Sequence, residues 1–364
     1  MESVVATRYW HRLADGRVQC DLCPRYCKLR EGQRGLCFVR GCEEERIVLT
    51  TYGRSSGFCV DPIEKKPLNH FLPGTPVLSF GTAGCNLGCR FCQNWDISKS
   101  REIDTLADSA SPETIARAAA ELGCRSVAFT YNDPVIFHEY AIDVAQACHE
   151  RGILTVAVTA GEICDEPRVE FFRHMDAANV DLKAFTERFY RQICAGHLEP
   201  VLDTLTYLKH ETEVWFEITN LIIPGENDAE REIDEMTGWI VERLGPDVPL
   251  HFSAFHPDFK MLDHPPTPPA TLTRARNMAR QNGVRYAYTG NVHDLDGDTT
   301  VCHRCGSELI GRDWFELRSW NLDDAGRCPD CRTPCPGRFE PSPGTWGRRR
   351  QPVRLADFGT PVGR

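Results

Sequence analysis

Residues 84–95 read Gly84-Cys85-Asn86-Leu87-Gly88-Cys89-Arg90-Phe91-Cys92-Gln93-Asn94-Trp95, shortly after an apolar run at 77–80. The three cysteines have the spacing C-x3-C-x2-C, which is less typical of zinc than paired C-x2-C knuckles are. A [4Fe-4S] cube takes one thiolate per iron, so three close cysteines leave one iron open to a ligand from outside the protein. The stretch, called the cluster loop below, therefore predicts a [4Fe-4S] cluster on Cys85, Cys89 and Cys92. A structural zinc knot and buried free thiols are the alternative interpretations.

The composition limits the kind of protein. The chain has 364 residues, 41% of them apolar, a formal net charge of −10 and 18 cysteines. No apolar run reaches 18 residues and no secretory signal is visible, so we expect a cytoplasmic protein without a membrane span. So many cysteines then indicate metal ligation in a reducing compartment. The negative charge argues against broad binding to a phosphate backbone, but the basic run at 348–350 leaves nucleic acid open as a partner.

Seven apolar, β-branched runs alternate with segments of helical periodicity. The runs lie at 77–80, 125–130, 153–159, 179–183, 214–223, 250–255 and 284–288. Repeated strand-then-helix order implies a parallel sheet with helices outside, and seven strands fit a partial (β/α) barrel better than a short open sheet. We therefore predict an α/β fold whose reactive residues lie at the carboxyl ends of the strands.

Polar side chains recur at those strand ends. Asn132 and Asp133 follow the second run, Asp181 and Lys183 close the fourth, and His256 follows the sixth. Any one of them alone is ordinary turn chemistry, but their recurrence at one end predicts a shared site. Alternation along a strand puts Asp181 and Lys183 on one face, although a surface ion pair is the alternative for these two.

Two further cysteine sets flank the predicted barrel. The C-terminal cysteine set comprises Cys302, Cys305, Cys328 and Cys331, two C-x2-C knuckles separated by 22 residues. This spacing predicts one tetrahedral zinc, with rubredoxin-like iron as the alternative. Four thiolates leave no open position on the metal, so we expect a structural or docking role.

The N-terminal cysteine set comprises Cys20, Cys23, Cys27 and Cys37. It predicts either a second zinc or an auxiliary iron–sulfur cluster. The spacing does not separate these two, because both accept four thiolates.

These patterns divide the chain into four parts. We predict an N-terminal Cys-rich metal-binding module at 1–72, the partial barrel at 73–295, a zinc-ribbon-like module at 296–340 and a basic tail at 341–364.

The cluster loop resembles the signature of the radical S-adenosylmethionine (SAM) superfamily, CxxxCxxC with an aromatic residue, here Phe91, before the third cysteine. The resemblance implies that SAM chelates the open iron. It also implies that reduction of the cluster cleaves SAM to a 5′-deoxyadenosyl radical, which abstracts hydrogen from a substrate. The protein then supplies position, electrostatics and exclusion of water.

A closer resemblance, over roughly residues 20–340, is to the AmmeMemoRadiSam radical SAM group, which is similar to pyruvate formate-lyase activating enzyme. The motifs that carry it, besides the cluster loop, are Cys20-Asp21-Leu22-Cys23-Pro24-Arg25-Tyr26-Cys27, Tyr131-Asn132-Asp133-Pro134, Asp181-Leu182-Lys183, Ile223-Pro224-Gly225 and Phe255-His256-Pro257. Tyr131-Asn132-Asp133-Pro134 stands where activating enzymes have a Gly-Gly-Glu-Pro type motif. Side chains of Asn132 and Asp133 are therefore expected to replace the close backbone contact that glycines allow.

The resemblance implies which residues position SAM. They are the Phe91 backbone, Asn132, Asp133, Asp181, Lys183 and His256, with Lys183 and His256 as the catalytic candidates.

The substrate is implied only as a class. We expect hydrogen abstraction from a protein, peptide, small molecule or RNA, together with Memo-like and other AmmeMemoRadiSam companion proteins. The alternatives are an activating enzyme that installs a glycyl radical on a partner enzyme, and a non-catalytic metal-rich scaffold. No flavin or NAD fingerprint occurs in the chain. An external flavodoxin- or ferredoxin-like electron donor is therefore expected.

Overall fold

The computed structural model describes residues 4–99 and 108–358. The strands in these ranges are β1 (Val5–Ala6), β2 (Trp10–Arg12), β3 (Val18–Cys20), β4 (Lys28–Leu29), β5 (Arg40–Glu43), β6 (Arg46–Leu49), β7 (Arg54–Ser55), β8 (Phe58–Pro62), β9 (Pro76–Phe80), β10 (Asp108–Ser109), β11 (Ser126–Phe129), β12 (Leu154–Thr159), β13 (Ala177–Asp181), β14 (Trp215–Ile222), β15 (Leu250–Ala254), β16 (Ala287–Gly290), β17 (Thr300–Val301), β18 (Glu308–Asp313), β19 (Glu316–Trp320) and β20 (Gln351–Val353).

The α-helices of the same ranges are α1 (Trp95–Ser98), α2 (Pro112–Glu121), α3 (His138–His149), α4 (Asp165–Phe172), α5 (Glu187–Phe189), α6 (Glu199–Glu211), α7 (Glu230–Leu244), α8 (Pro269–Gln281) and α9 (Leu295–Asp298). A π-helical turn, Tyr190–Cys194, follows α5 directly, and 3₁₀ turns lie at Ile63–Lys65, Pro134–Phe137 and Leu355–Phe358. None of these helices has the length and apolar character that crossing a membrane requires.

Nine strands form one sheet in the order β16-β15-β14-β13-β12-β11-β9-β8-β20. The seven strands β9 and β11 to β16 are parallel to one another. Successive parallel strands from β11 onward are joined through helices. Because β16 and β20 are separate edges that do not pair with each other, the sheet is an open, partial barrel. The predicted α/β fold with a partial (β/α) barrel is confirmed.

Helix α2 illustrates why the outer helices form where they do. The Ser111 side chain accepts a hydrogen bond from Thr114 N at 3.2 Å, and Pro112 takes the first helical position, where a missing N–H loses nothing. Ile115 and Ala118 then point to the core and are fully buried. Burial of the isoleucine side chain alone contributes about 2 kcal/mol. Local capping thus fixes the start of the helix, and burial fixes its orientation on the sheet.

Two antiparallel strands extend the barrel at one edge. β8 pairs with β9, and β20 pairs with the other side of β8 in the register Gln351 to Val60. The part of the chain predicted as a basic tail therefore contributes an edge strand, which covers backbone groups of β8 that would otherwise lie unpaired. β8 itself falls on the N-terminal side of the predicted boundary at residue 72, although it belongs to the barrel sheet. The three boundaries between the predicted parts stay predictions.

The two flanking modules carry small sheets of their own. The N-terminal residues form the sheets β1-β6-β5 and β2-β3-β4, and the C-terminal residues form β17-β18-β19. Buried Arg312 of β18 links the C-terminal module to the segment between β8 and β9, because it donates to Asn69 O at 2.6 Å. Its second bond, to Thr300 Oγ1 at 2.9 Å, lies within the module.

Candidate functional site

A cavity of about 460 Å³ opens at the carboxyl ends of the parallel strands. The residues predicted from the sequence that line it are Cys85, Cys89, Phe91, Cys92, Asn132, Asp133, Asp181 and Lys183. His256 is the one predicted site residue of the barrel that does not line it. The fold therefore brings the three cysteines of the cluster loop together with the polar ends of β11 and β13.

Backbone contacts fix the cluster loop on two sides. Asn132 donates from Nδ2 to Gly84 O at 2.7 Å and accepts from Thr82 N at 3.1 Å. On the opposite side, Gly88 N donates to the carbonyl oxygen of Cys194 at 2.7 Å, at the end of the π-helical turn. π-helical turns are frequent at functional sites. These contacts hold the loop open toward the cavity.

The thiols of the cluster loop differ in their electrostatic surroundings. Burial raises the pKa of Cys85 to about 12 and also raises the pKa of Cys92. A hydrogen bond with Cys194, assisted by the Lys183 ammonium, lowers the pKa of Cys89. Since a thiol must lose its proton to ligate a metal, these two contacts favour the ligating form of Cys89.

Asp133 joins two strand ends. Its Oδ1 accepts from Val135 N at 3.1 Å and from Thr159 Oγ1 at 3.0 Å, and its Oδ2 accepts from Ala160 N at 2.9 Å. Burial raises the pKa of the carboxyl, although these hydrogen bonds oppose the rise. Asp133 therefore has a positioning role at the cavity wall, where it ties the end of β11 to the end of β12.

Asp181 and Lys183 form an ion pair of 2.7 Å between Oδ2 and Nζ. The pair lies in the wall of the cavity, and the Lys183 side chain is only 12% exposed, so it is not a surface pair. Burial lowers the Lys183 pKa, but the charges of Asp181 and Cys89 reverse this and hold that pKa well above its ordinary value. The ammonium stands 5.8 Å from the centre of the Phe91 ring.

The backbone around Lys183 is held by side chains of the neighbouring strand and loop. Asn220 donates to Leu182 O at 2.7 Å, and Asn227 donates to Lys183 O at 2.7 Å. The Tyr190 hydroxyl accepts from Lys183 N at 3.0 Å. The lysine is therefore fixed at its backbone as well as at its ammonium.

His256 is exposed, because β15 ends at Ala254 and the chain then leaves the barrel. The interior polar residues of this region are His251 and Ser253 of β15 and Thr219 of β14, all of which line the cavity. His251 Nε2 lies 2.7 Å from Glu217 Oε2. Sequence reasoning missed these residues. The signal was present as polar residues two apart within apolar strands, which place one polar face inside the barrel.

Thr219 offers an unused hydrogen-bonding group. Its Oγ1 is buried in the cavity wall and has no partner among the described residues. Buried polar groups are nearly always satisfied, so this hydroxyl fits contact with a bound polar ligand. Together with the three cysteines and the Asp181–Lys183 pair, it makes the donor set suitable for an iron–sulfur cluster and a zwitterionic cofactor.

The segment after β15 packs on the cluster loop. Trp95 stacks on Phe259 with ring centroids 5.7 Å apart, and its Nε1 donates to Asp258 Oδ1 at 3.1 Å. Lys260 N also donates to Arg90 O at 3.0 Å. Residues 258–260 therefore contact the loop that carries the three cysteines.

The C-terminal cysteine set converges on one point. Its four sulfur atoms all lie within 4.8 Å of one another, with Cys302 Sγ 3.5 Å from Cys331 Sγ and Cys305 Sγ 3.6 Å from Cys328 Sγ. These separations fit one tetrahedral metal ion. The N-terminal cysteine set lines a second, smaller cavity, next to Arg40 and Asn86.

Comparison with known proteins gives a consistent result. The sequence model of the Radical SAM superfamily matches residues 80–236. An uncharacterized protein of Methanocaldococcus jannaschii is 39% identical over 324 residues, which cover 89% of this chain and 96% of that protein. The pyruvate formate-lyase-activating enzyme of Clostridium pasteurianum is 24% identical over 172 residues, covering 46% of this chain and 70% of the enzyme.

The solved structure of a radical SAM methyltransferase from Sphaerobacter thermophilus is similar to this chain in part. The similarity covers 65% of this chain and 71% of that protein, with 15% sequence identity and a TM-score of 0.48.

Proposed function

This chain belongs to the radical SAM superfamily, and from that premise we propose that Cys85, Cys89 and Cys92 bind a [4Fe-4S] cluster beside a molecule of SAM in the 460 Å³ cavity. Bound together, the cluster and SAM supply a 5′-deoxyadenosyl radical that abstracts hydrogen from a substrate. The observation that carries the proposal is the convergence of three cysteines and four polar strand-end residues on one cavity.

The residues of the cavity have complementary roles in this proposal. Asp181 and Lys183 offer one carboxylate and one ammonium, which suit the amino and carboxylate groups of SAM. Asn132 and Asp133 hold the cluster loop and the neighbouring strand end in place. The Phe91 backbone and the free Thr219 hydroxyl complete the polar contacts, and no role is assigned to exposed His256.

Anaerobic reconstitution tests the cofactor chemistry. With dithionite as the reductant, the wild-type protein is expected to convert SAM to 5′-deoxyadenosine, and Cys89→Ala is expected to abolish the product. Cys124→Ala is the matched control, because Cys124 is equally buried but does not line the cavity. Equal product from Cys89→Ala and the control would rule out the assignment of the cluster loop.

We infer that the substrate is a protein, peptide, small molecule or RNA that is chemically modified, with Memo-like and other AmmeMemoRadiSam companion proteins as partners. Residues of the C-terminal part, Asp298, Trp314 and Phe315, line the same cavity as the cluster loop. Because the C-terminal module contributes to the wall of this cavity, it supports a site that recognises one specific substrate. A mass change in the substrate on SAM turnover is the expected result.

The second candidate is glycyl radical installation on a partner enzyme. Its support is the similarity to the pyruvate formate-lyase-activating enzyme of Clostridium pasteurianum. Electron paramagnetic resonance distinguishes the two, because a stable glycyl radical on a partner would favour installation. A non-catalytic scaffold would be favoured instead if SAM left the cluster spectrum unchanged.

We further propose zinc for the C-terminal cysteine set. Tetrahedral zinc with Zn–S bonds of about 2.3 Å places its sulfurs about 3.8 Å apart, close to the separations of 3.5 and 3.6 Å seen here. One zinc per chain by elemental analysis is the expected result, whereas one iron without zinc would favour the rubredoxin-like alternative.

The electron for SAM cleavage is proposed to come from an external flavodoxin- or ferredoxin-like donor. None of the eighteen cysteines, all of which lie within the part of the chain that the structure describes, forms a disulfide. This supports a reducing compartment and therefore a cytoplasmic location.

A further inference from the structure

We propose that Lys65 and Lys66 form an anion-binding subsite that holds a carboxylate or phosphate group of the substrate, at the end of the 460 Å³ cavity remote from the cluster loop. The assignment of this anion to the substrate rests on the proposed function of the cavity. The binding itself rests on the contacts of the two lysines and can be tested without SAM.

The cavity extends along the inside of the barrel, away from the cluster loop. Both lysines line it, as do the three cysteines of that loop. Lys65 and Lys66 follow β8, whose last residue, Pro62, pairs with Pro76 at the start of β9. The cluster loop follows the other end of β9, and a strand of this length spans about 13 Å. A substrate bound in the cavity can therefore contact the lysines at one end while its other end lies near the cluster loop.

The two ammonium groups share one carboxylate. Lys65 Nζ lies 3.0 Å from Asp61 Oδ1, and Lys66 Nζ lies 2.8 Å from Asp61 Oδ2. Asp61 is fully buried and the Lys66 side chain is only 3% exposed. An ammonium has three N–H donors, and no second acceptor among the described residues lies within hydrogen-bonding distance of either lysine. One positive charge and further N–H donors therefore remain for a ligand.

The electrostatic balance around Asp61 also favours an added anion. Burial raises the pKa of Asp61, but the charges of Lys66 and Lys65 outweigh it and hold that pKa below its ordinary value. Burial lowers the pKa of Lys66, and the charge of Asp61 opposes this without cancelling it. A third cation, Arg350, interacts with the same carboxylate, since a hydrogen bond with the Cys59 thiol raises the Arg350 pKa and Asp61 adds to the rise. A bound anion would stabilise the buried ammonium that Asp61 compensates only in part.

Tyr131 connects the subsite to the cluster loop. Its hydroxyl donates to Asp61 Oδ2 at 3.0 Å, and its ring centre lies 5.0 Å from Lys66 Nζ. The residue has φ +70°, a left-handed conformation that is rare for a bulky side chain and is typical of ligand-binding sites. The next residue, Asn132, holds the cluster loop through Gly84 O. One turn of backbone therefore positions a wall of the subsite and the loop that carries the three cysteines.

A neighbouring acid does not supply the missing negative charge. Glu64 lines the same cavity and is 5% exposed. Its Oε1 accepts from Gly74 N at 2.6 Å, whereas its Oε2 has no partner among the described residues. Burial raises the pKa of this carboxyl to about 7, so a large share of the molecules hold it in the neutral form at neutral pH. A protonated carboxyl donates a hydrogen bond and therefore suits the same anion.

Isothermal titration calorimetry with inorganic phosphate and, separately, with acetate tests the subsite. The anaerobically reconstituted full-length protein is used without SAM or reductant, at constant ionic strength. We expect one anion to bind per chain and Lys66→Met to weaken this binding at least about tenfold. Lys209→Met is the matched control, because Lys209 is exposed and does not line the cavity. Equal binding by these two variants would overturn the subsite.

The two anions distinguish the two possible sources of the charge. Binding of phosphate alone would support a substrate that carries a phosphate group. Binding of acetate alone would support a substrate that carries a carboxylate, and binding of both would support the subsite for either group. A wild-type protein that binds neither anion would overturn the proposal.

Asp61→Asn tests the charge balance with a variant that adds affinity. It removes the shared negative charge but keeps a side chain of the same size, so anion binding is expected to tighten about tenfold. Unchanged or weaker binding would overturn the subsite, because a purely structural ion pair predicts only a loss of stability. Lys66→Met with Asp61→Asn leaves no carboxylate stranded by loss of Lys66. This double variant is expected to keep a cooperative thermal transition and to bind the anion more weakly than Asp61→Asn alone.

Lys183→Met shows whether the anion instead occupies the Asp181–Lys183 pair. Phosphate binding is expected to persist in this variant, whereas its loss there and its retention in Lys66→Met would overturn the subsite. The titrations involve no SAM cleavage, so the two proposals fail separately. A protein that forms 5′-deoxyadenosine but binds neither anion keeps the proposed function and overturns only the subsite. A protein that binds the anion but forms no 5′-deoxyadenosine keeps the subsite and overturns the proposed function.

Discussion

Gly84→Ala tests whether the N-terminal module and the cluster loop are locked together. Gly84 has φ +83°, a left-handed conformation that costs a non-glycine residue about 1–2 kcal/mol. An added Cβ would also overlap the carbonyl oxygen of Cys37 and come within 3.4 Å of Phe38 Cβ. Overpacking of this kind costs about 1–3 kcal/mol. The free energy of unfolding is therefore expected to fall by roughly 2–5 kcal/mol.

Gly123→Ala is the matched control for this prediction. Gly123 also has a left-handed φ, +69°, but nothing lies within 4 Å of a Cβ placed there. Only the conformational cost applies, so a loss of roughly 1 kcal/mol is expected. Urea unfolding under anaerobic conditions, followed by tryptophan fluorescence, compares the two variants, with iron content measured in parallel. Equal losses in the two variants would refute the argument that Gly84 is fixed by close contact with Cys37.

Three other predictions concern a buried acid, a buried ion pair and the C-terminal metal. Burial raises the pKa of Glu64 to about 7, so the folded state holds a proton that the unfolded state releases above pH 4.5; stability then falls by roughly 3 kcal/mol between pH 4.5 and 7. Glu64→Gln should remove that loss, leaving thermal stability higher than wild type at pH 8 and equal at about pH 4, below both pKa values. Glu211→Gln, at an exposed position, should change neither. Arg40→Met should cost about 3–5 kcal/mol because it strands the Glu139 carboxylate, and Arg40→Met with Glu139→Met should recover most of it; a double variant no more stable than the single one would contradict this. Cys328→Ala should remove one zinc per chain and open the region around residues 300–340 to limited proteolysis, and retention of the zinc would contradict the assigned ligand set.

The parallel strands could be predicted from the sequence because each is a continuous apolar run that is buried on both faces. The seventh run was predicted at 284–288, whereas β16 spans Ala287–Gly290. The difference has a local cause: Val284 N donates to Ala279 O and closes helix α8, so the backbone at this position ends a helix. The local sequence pattern does not show whether a backbone N–H bonds to the preceding helix or joins the following strand.

The antiparallel strands β8 and β20 could not be predicted in this way. β8 contains Asp61, which is fully buried and pairs with Lys66 at 2.8 Å. From the sequence alone, a charged residue at that position indicates a turn, because its buried partner Lys66 cannot be recognised. β20 contains Pro352, which an edge strand tolerates because one side of the strand makes no ladder hydrogen bonds.

In the candidate site, too, residues with a local sequence pattern were predicted, and contacts between distant residues were not. Short-range spacing predicted the cysteines of the cluster loop, and strand-end position predicted Asn132 and Lys183, all of which line the cavity. His256 was assigned by its place in the chain, but its orientation depends on where β15 leaves the barrel. The contacts between Gly84 and Cys37 join residues 47 positions apart and leave no local pattern in the sequence.

The pairing of β20 with β8 has a consequence for how the protein is made. Val60 of β8 pairs with Gln351 of β20, so 291 further residues must be synthesised before the edge of β8 is covered. At about 5–20 residues per second, this takes roughly 15–60 s. Throughout that interval the nascent barrel presents an open strand edge, which is a template for wrong pairing. Released chains that end near residue 340 should therefore depend on chaperones, while released chains that extend through residue 358 should not.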